Sequence, residues 1–164
     1  MGETSREITD ELFIVRRMTT DDVDAAAAID KKCFGKRDAW RRSYFLAAMK
    51  NLRNVYFVAE ADGQVVACAG AELRKDSAEI QTVAVDPDYH GLGIGTKLFG
   101  ELIAAIEERG IPSIYLEVHV GNTSAIEFYD KFGFRAVAEL ENYYRNGDGF
   151  LMMRDLQCDS TSEQ

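Results

Sequence analysis

Val83-Ala84-Val85 is a short β-branched run that leads through Asp86-Pro87-Asp88-Tyr89 into His90-Gly91-Leu92-Gly93-Ile94-Gly95. A helical pattern follows, with Leu98, Phe99, Leu102, Ile103 and Ile106 on one side. The order is strand, glycine loop, helix. A helix start carries free N–H groups and a partial positive charge, so it attracts anions. Glycines remove the Cβ atoms that would keep a phosphate off the backbone. The chain carries 19 Lys and Arg against 28 Asp and Glu, a net charge of −9. A loop of this kind in an acidic chain points to a phosphorylated cofactor.

The 164 residues suit one domain with a sizeable core, expected over 11–156 between a flexible arm at 1–10 and a disordered tail at 157–164. At 46% hydrophobic and 29% charged, the composition is that of a globular protein. No apolar run approaches the ~20 residues of a membrane helix, and residues 1–10 show no secretory signal. Cys33, Cys68 and Cys158 are odd in number and widely spaced, without metal-like clustering. Reduced thiols in the cytoplasm are expected. Negative charge argues against general nucleic-acid binding, which needs a basic face.

Leu12 to Arg17 reads as a strand. Thr19 or Thr20 caps a helix through about Phe34, Gly35-Lys36-Arg37-Asp38 breaks it, and a second helix spans Ala39 to Leu52. Val55–Ala61 and Gln64–Leu73 form a hairpin about Asp62-Gly63, followed by a strand over Ala78–Val85. The glycine-loop helix stops at Gly110-Ile111-Pro112. A strand over Ile114–Val120 follows, then a helix over Asn122–Phe132, where Ser124 and Glu127 have capping-box spacing. Phe134–Leu140 and Phe150–Leu156 close the chain as a hairpin. The sum is a mixed α/β sheet, antiparallel early, with one helical crossover joining parallel strands.

A dinucleotide fold also runs strand, Gly-x-Gly-x-x-Gly, helix, acidic residue, and Glu117 sits near that last offset. Here the third glycine falls one position early, and Asp-Pro-Asp-Tyr separates strand from loop where the dinucleotide turn is tight. The motif instead resembles the (Gln/Arg)-x-x-Gly-x-(Gly/Ala) signature of the GNAT N-acetyltransferase superfamily. The likeness extends through Val83–Tyr89, Tyr115-Leu116-Glu117-Val118, Asn122-Thr123-Ser124-Ala125-Ile126-Glu127-Phe128-Tyr129, Phe132-Gly133-Phe134 and Asn142-Tyr143-Tyr144. Those segments are most similar to the bacterial ribosomal-protein-alanine N-acetyltransferases.

The resemblance implies an acyl-CoA N-acyltransferase fold, with its later parallel strands splayed around acetyl-CoA. The pyrophosphate would lie on Gly91, Leu92, Gly93, Ile94, Gly95 and Thr96, next to His90. The pantetheine arm would pair with the strand Val83-Ala84-Val85, and the Val85 amide would face the thioester oxygen, where one such donor is often worth ~3 kcal/mol. His90 stands where the family carries Gln or Arg, and Gly91 where many members carry Arg. Such a loop relies more on backbone N–H groups, with lower cofactor affinity the expected cost.

Attack on a thioester needs a neutral amine, and an α-amine in water titrates near pH ~8. Glu117 is the candidate base. It alternates with Leu116 and Val118, and a carboxylate in an apolar strand is costly unless satisfied or functional. Its bland reading is a strand-end Glu in solvent or paired with an arginine. Tyr129 is the candidate acid for the leaving thiolate, against the reading of a plain core tyrosine. Asn122 is an N-cap that the resemblance also places against the cofactor. Trp40, Tyr143 and Tyr144 are candidate walls of an acceptor groove, or ordinary packing residues. His90 and His119 lack metal-ligand spacing and read as structural or peripheral as regards proton transfer; no metal is expected.

These readings imply an acetyl-CoA-dependent N-acetyltransferase acting on a protein or peptide α-amine, such as the N-terminal alanine of a ribosomal protein. Lysine, a polyamine or another small amine is the alternative acceptor, and a non-catalytic acyl-CoA-binding module the alternative role.

Overall fold

The computed structural model describes residues 12–155. The expected arm and tail, Leu156 and Cys158 lie outside the described residues. A seven-stranded sheet is built from β1 (Phe13–Arg17), β2 (Val55–Ala61), β3 (Gln64–Leu73), β4 (Ser77–Val85), β5 (Ser113–His119), β6 (Arg135–Tyr144) and β7 (Gly147–Asp155). Its order is β1-β2-β3-β4-β5-β7-β6. Every pairing is antiparallel except β4 with β5, which the helix α3 (Ile94–Glu108) joins as the expected crossover. At the β2–β3 turn, Asp62 and Gly63 have φ of 53° and 73°, the left-handed pair a two-residue hairpin turn requires.

Two cores lie on the two faces of the sheet. Leu98, Phe99, Leu102 and Ile106 of α3 are fully buried on one face, with α4 (Thr123–Lys131) packed beside them. The other face is covered by α1 (Val23–Asp38) and α2 (Arg42–Lys50), through Val23, Ala26, Ile29 and Phe45. Phe99 is the aromatic hub, with ring centroids at 5.5 Å from Phe128, 5.5 Å from Tyr129, 4.8 Å from Phe132 and 5.9 Å from Phe134. Phe99→Ala is expected to cost about 3–5 kcal/mol, read as a fall in the urea midpoint, because the cavity opens where α3 meets α4.

A β-bulge in β4 decides which residues face which core. Ile80 sits opposite Ala71 and Thr82 opposite Gly70, leaving Gln81 as the extra residue. Before it, Ala78 and Ile80 point to the α3 core; after it, Val83 and Val85 do, and Ala84 turns toward α1. Gly70 itself is required by space, since a Cβ there would lie 2.0 Å from the Tyr56 ring.

The expected elements are present with shifted limits. The second helix begins at Arg42 and ends at Lys50, rather than spanning 39–52. Trp40 is drawn out of it because its amide donates to Asp30 Oδ2 at 2.7 Å. The break at Gly35 is a kink (φ 79°), with helical structure resuming to Asp38. α4 is capped by Asn122, whose Oδ1 accepts from the Ala125 amide at 3.3 Å, so the Ser124–Glu127 spacing does not mark the cap. The closing strands run to Tyr144 and from Gly147, a tighter hairpin than 134–140 with 150–156. Asp148 makes this possible by accepting the Asn142 amide at 2.8 Å.

Candidate active site

The glycine loop is built as a rigid approach to an open helix end. Asp86 caps the turn Pro87–Tyr89 by accepting the Asp88 amide at 3.0 Å, and Lys32 Nζ holds the same carboxylate at 3.1 Å. Gly93 is the N-cap of α3 at φ 81°, a conformation that strains any residue with a Cβ. No side chain caps this helix and its first turn carries no acidic residue. Its first amides are therefore left without a carboxylate or hydroxyl partner of their own. A Cβ built on Gly91 or Gly93 would meet nothing within 4 Å, so the space over the loop is clear. Uncapped amides, a positive dipole end and open space fit a diphosphate. Ile94 is buried and anchors the loop to the core, so only its backbone faces that space; Leu92 is exposed.

The sheet forks beside this loop. β4 and β5 pair only at Ser77–Ser113, Ala78–Ile114 and Glu79–Tyr115, then diverge although both strands continue. The Asp86 amide donates to Val66 O at 2.8 Å, toward β3. By alternation, the polar backbone groups of Val83 and Val85 turn to the open side. In agreement, the Val85 carbonyl accepts from Cys33 Sγ at 3.2 Å and from His90 Nε2 at 2.8 Å rather than from β3. His90 is thus tied back onto the strand end.

A cleft of about 830 Å³ opens in the fork, lined by Val83, Glu117, Asn122, Tyr129, Tyr143, Tyr144 and Trp40 among others. Seven of the residues singled out in the sequence therefore share one space. Ala84, Val85 and residues 90–96 lie outside its lining, and the Ala84 side chain is buried toward α1. Trp40 is both wall and packing residue: its ring centroid lies 5.3 Å from Phe45 and 6.3 Å from Tyr44. His119 Nδ1 accepts the Gly121 amide at 2.8 Å and Nε2 faces Asn146 O at 3.4 Å, a turn-holding arrangement.

Glu117 is half-buried on the cleft wall. Burial, and secondarily the Glu79 carboxylate, push its carboxyl above the usual range. Tyr129 is half-buried at the edge of the α3 core, and burial together with Tyr144 pushes its phenol up to about 12. It is a neutral O–H at physiological pH. The cleft thus pairs a carboxylate with heightened proton affinity and a protonated phenol, a combination suited to acid–base chemistry.

Two further acidic residues line this cleft that the sequence pattern does not single out. Asp30 is 1% exposed and accepts from Thr82 Oγ1 at 2.5 Å and from the Trp40 amide, tying α1 to β4 and to the Trp40 wall. Its one signal is its place among Ala26, Ile29 and Cys33 on one helical stripe. Glu79 stands at the vertex of the fork, and its neighbourhood with Glu117 depends on the β4–β5 pairing.

A mixed sheet forked beside an uncapped, glycine-led helix is the architecture of an acyl-CoA N-acyltransferase. Residues 23–134 match the Acetyltransferase (GNAT) family, and the chain belongs to it. It is 32% identical over 153 residues to an uncharacterised protein of Mycobacterium leprae, covering 90% of this chain but 42% of that relative's length. It is 32% identical over 135 residues to the [Ribosomal protein bS18]-alanine N-acetyltransferase of Escherichia coli strain K12, covering 82% of this chain and 89% of the relative. The crystal structure of the ribosomal-protein-S18-alanine N-acetyltransferase from Escherichia coli superposes with a TM-score of 0.80 at 29% identity, covering 88% of this chain and 94% of that one.

Proposed function

We propose that the chain is an acetyl-CoA-dependent N-acetyltransferase whose acceptor is the α-amine at the N-terminus of a protein or peptide. The observation that carries this reading is the single cleft in which Glu117 and Tyr129 meet the open backbone side of β4. The family match and the activity for which the Escherichia coli relative is named support the same class and acceptor.

Backbone amides at the start of α3 are the proposed diphosphate cradle, with Val83 and Val85 as the strand edge for the pantetheine arm. Bound there, acetyl-CoA supplies an acetyl thioester. Glu117 accepts a proton from the acceptor ammonium, which frees the nitrogen lone pair to form the C–N bond. Tyr129 gives its proton to the sulfur as the C–S bond breaks, and the proton left on the new amide nitrogen restores the phenol. Glu117 releases its own proton to solvent. Trp40, Tyr143 and Tyr144 form the walls that orient the incoming peptide end, and Asn122 holds the first turn of α4 beside it.

The test is a panel of peptides with varied first residues, plus lysine and polyamine controls, scored together for acetyl-CoA consumption and for the modified nitrogen. Modification of the peptide α-amine at a rate at least tenfold above the controls is expected. Preferred modification of a lysine side chain or polyamine would replace the acceptor. Retention of coenzyme A without turnover on any amine would replace catalysis by a binding role.

A further inference from the structure

We propose that Glu79 is a positioning residue for Glu117, receiving its hydrogen bond and so orienting it once Glu117 holds a proton. This rests on the reading of Glu117 as the base. Glu79 ends the paired part of β4, opposite Tyr115, and Glu117 is the next residue of β5 on that face. The Glu79 carboxylate is itself anchored: its Oε2 accepts from Tyr115 Oη at 3.2 Å and from Arg74 Nη2 at 3.3 Å. Arg74 also donates to Tyr115 Oη and lies 3.5 Å from Glu72, so the vertex is a braced cluster rather than a loose acidic pair. Both carboxyls line the cleft from paired strands, and the Glu79 carboxylate acts on Glu117 through its charge and as a side-chain partner.

Two carboxyls hydrogen-bond only when one of them holds a proton, so this contact forms as Glu117 is protonated. When Glu117 takes the ammonium proton, its new O–H donates to the fixed Glu79 carboxylate. The proton later leaves Glu117 for solvent, and the pair returns to its starting state. The other charged and titratable groups around Glu117 are Arg74 on the β3–β4 turn, Tyr143 and Tyr144 on β6, and, along the cleft, Arg37 and Asp38 of α1 and His119 of β5.

The experiment compares Glu79→Gln, Glu79→Asp, Tyr115→Phe, Glu117→Gln and the Glu79→Gln/Glu117→Gln double variant in the intact chain, with acetyl-CoA and the best peptide of the panel. Glu79→Gln is expected to lower kcat by about tenfold, the scale of one lost hydrogen bond to a charged group. The acid limb of its kcat profile should move to lower pH, with coenzyme A affinity and Tm retained. Glu79→Asp should recover part of the rate, and Tyr115→Phe should shift the limb in the same direction by less. The double variant should be no slower than Glu117→Gln alone. An unmoved limb in a folded Glu79→Gln variant, or losses that multiply in the double variant, would overturn the proposal. If Glu117→Gln is slow while Glu79→Gln behaves as wild type, Glu79 alone fails. If Glu117→Gln turns over at the wild-type rate, the base assignment fails and this proposal with it.

Discussion

Glu117→Gln is expected to lower kcat by about two to three orders of magnitude, the usual contribution of a positioned general base. Gln keeps the shape and the polar surface of the side chain and removes only the capacity to accept a proton. Coenzyme A affinity should stay within a factor of about two, since the cradle at α3 lies outside the cleft lining. In the wild type, kcat should rise with pH as Glu117 deprotonates, along a limb displaced above the ordinary carboxylate range by burial and by Glu79. That limb should vanish in the variant. The sign for stability runs the other way. A carboxyl whose folded-state pKa is raised stabilises the fold below its unfolded value, and that stability is lost as pH rises through the folded value. At pH 7 the wild type therefore carries a cost that Gln lacks. Glu117→Gln should melt at or above the wild-type temperature, checked by thermal scans at pH 5 and pH 7.

Tyr129→Phe is expected to lower kcat by about a hundredfold while leaving the KM for acetyl-CoA nearly unchanged. The phenyl ring keeps the packing against Phe99 at 5.5 Å and Phe134 at 6.0 Å, so the α3–α4 core survives. What is lost is a proton held on a phenol pushed up to about 12 by burial and by Tyr144. A phenol in that state keeps its proton until negative charge develops on the sulfur beside it, and the acidic proton on the new amide nitrogen then replaces the one it gives. Steady-state kinetics with a fixed peptide and varied acetyl-CoA would measure both constants. A wild-type kcat in a folded Tyr129→Phe variant would return Tyr129 to the role of a core residue.

The strand, glycine loop and helix are legible in the sequence because each step has a local cause: β-branched residues, glycines at φ 81°, and an apolar stripe that α3 buries. The Asp62-Gly63 hairpin is legible for the same reason. β6 is longer than its pattern suggests because nearly all its residues are exposed on both faces, so no alternation marks it, and Asn142 interrupts it at φ 52°. The grouping of Trp40, Glu117, Tyr129, Tyr143 and Tyr144 follows from resemblance rather than from pattern, since nothing local brings them together. Glu79 is hidden for a further reason. Its bond to Tyr115 spans 36 positions along the chain and exists only where two parallel strands part. The Gln81 bulge, which turns Val83 and Val85 to the α3 face, has no composition signal at all. Asp30 does leave a trace: a carboxylate on the stripe of Ala26 and Ile29 has to be satisfied by something, and Thr82 and Trp40 are what satisfy it.

The most direct measurement is a crystal structure of the chain with coenzyme A. The diphosphate should rest against the amides at the start of α3, the pantetheine arm should run along Val83 and Val85, and the thiol should point into the cleft between Glu117 and Tyr129. Coenzyme A seated on another surface, or a thiol directed away from the fork, would contradict the account.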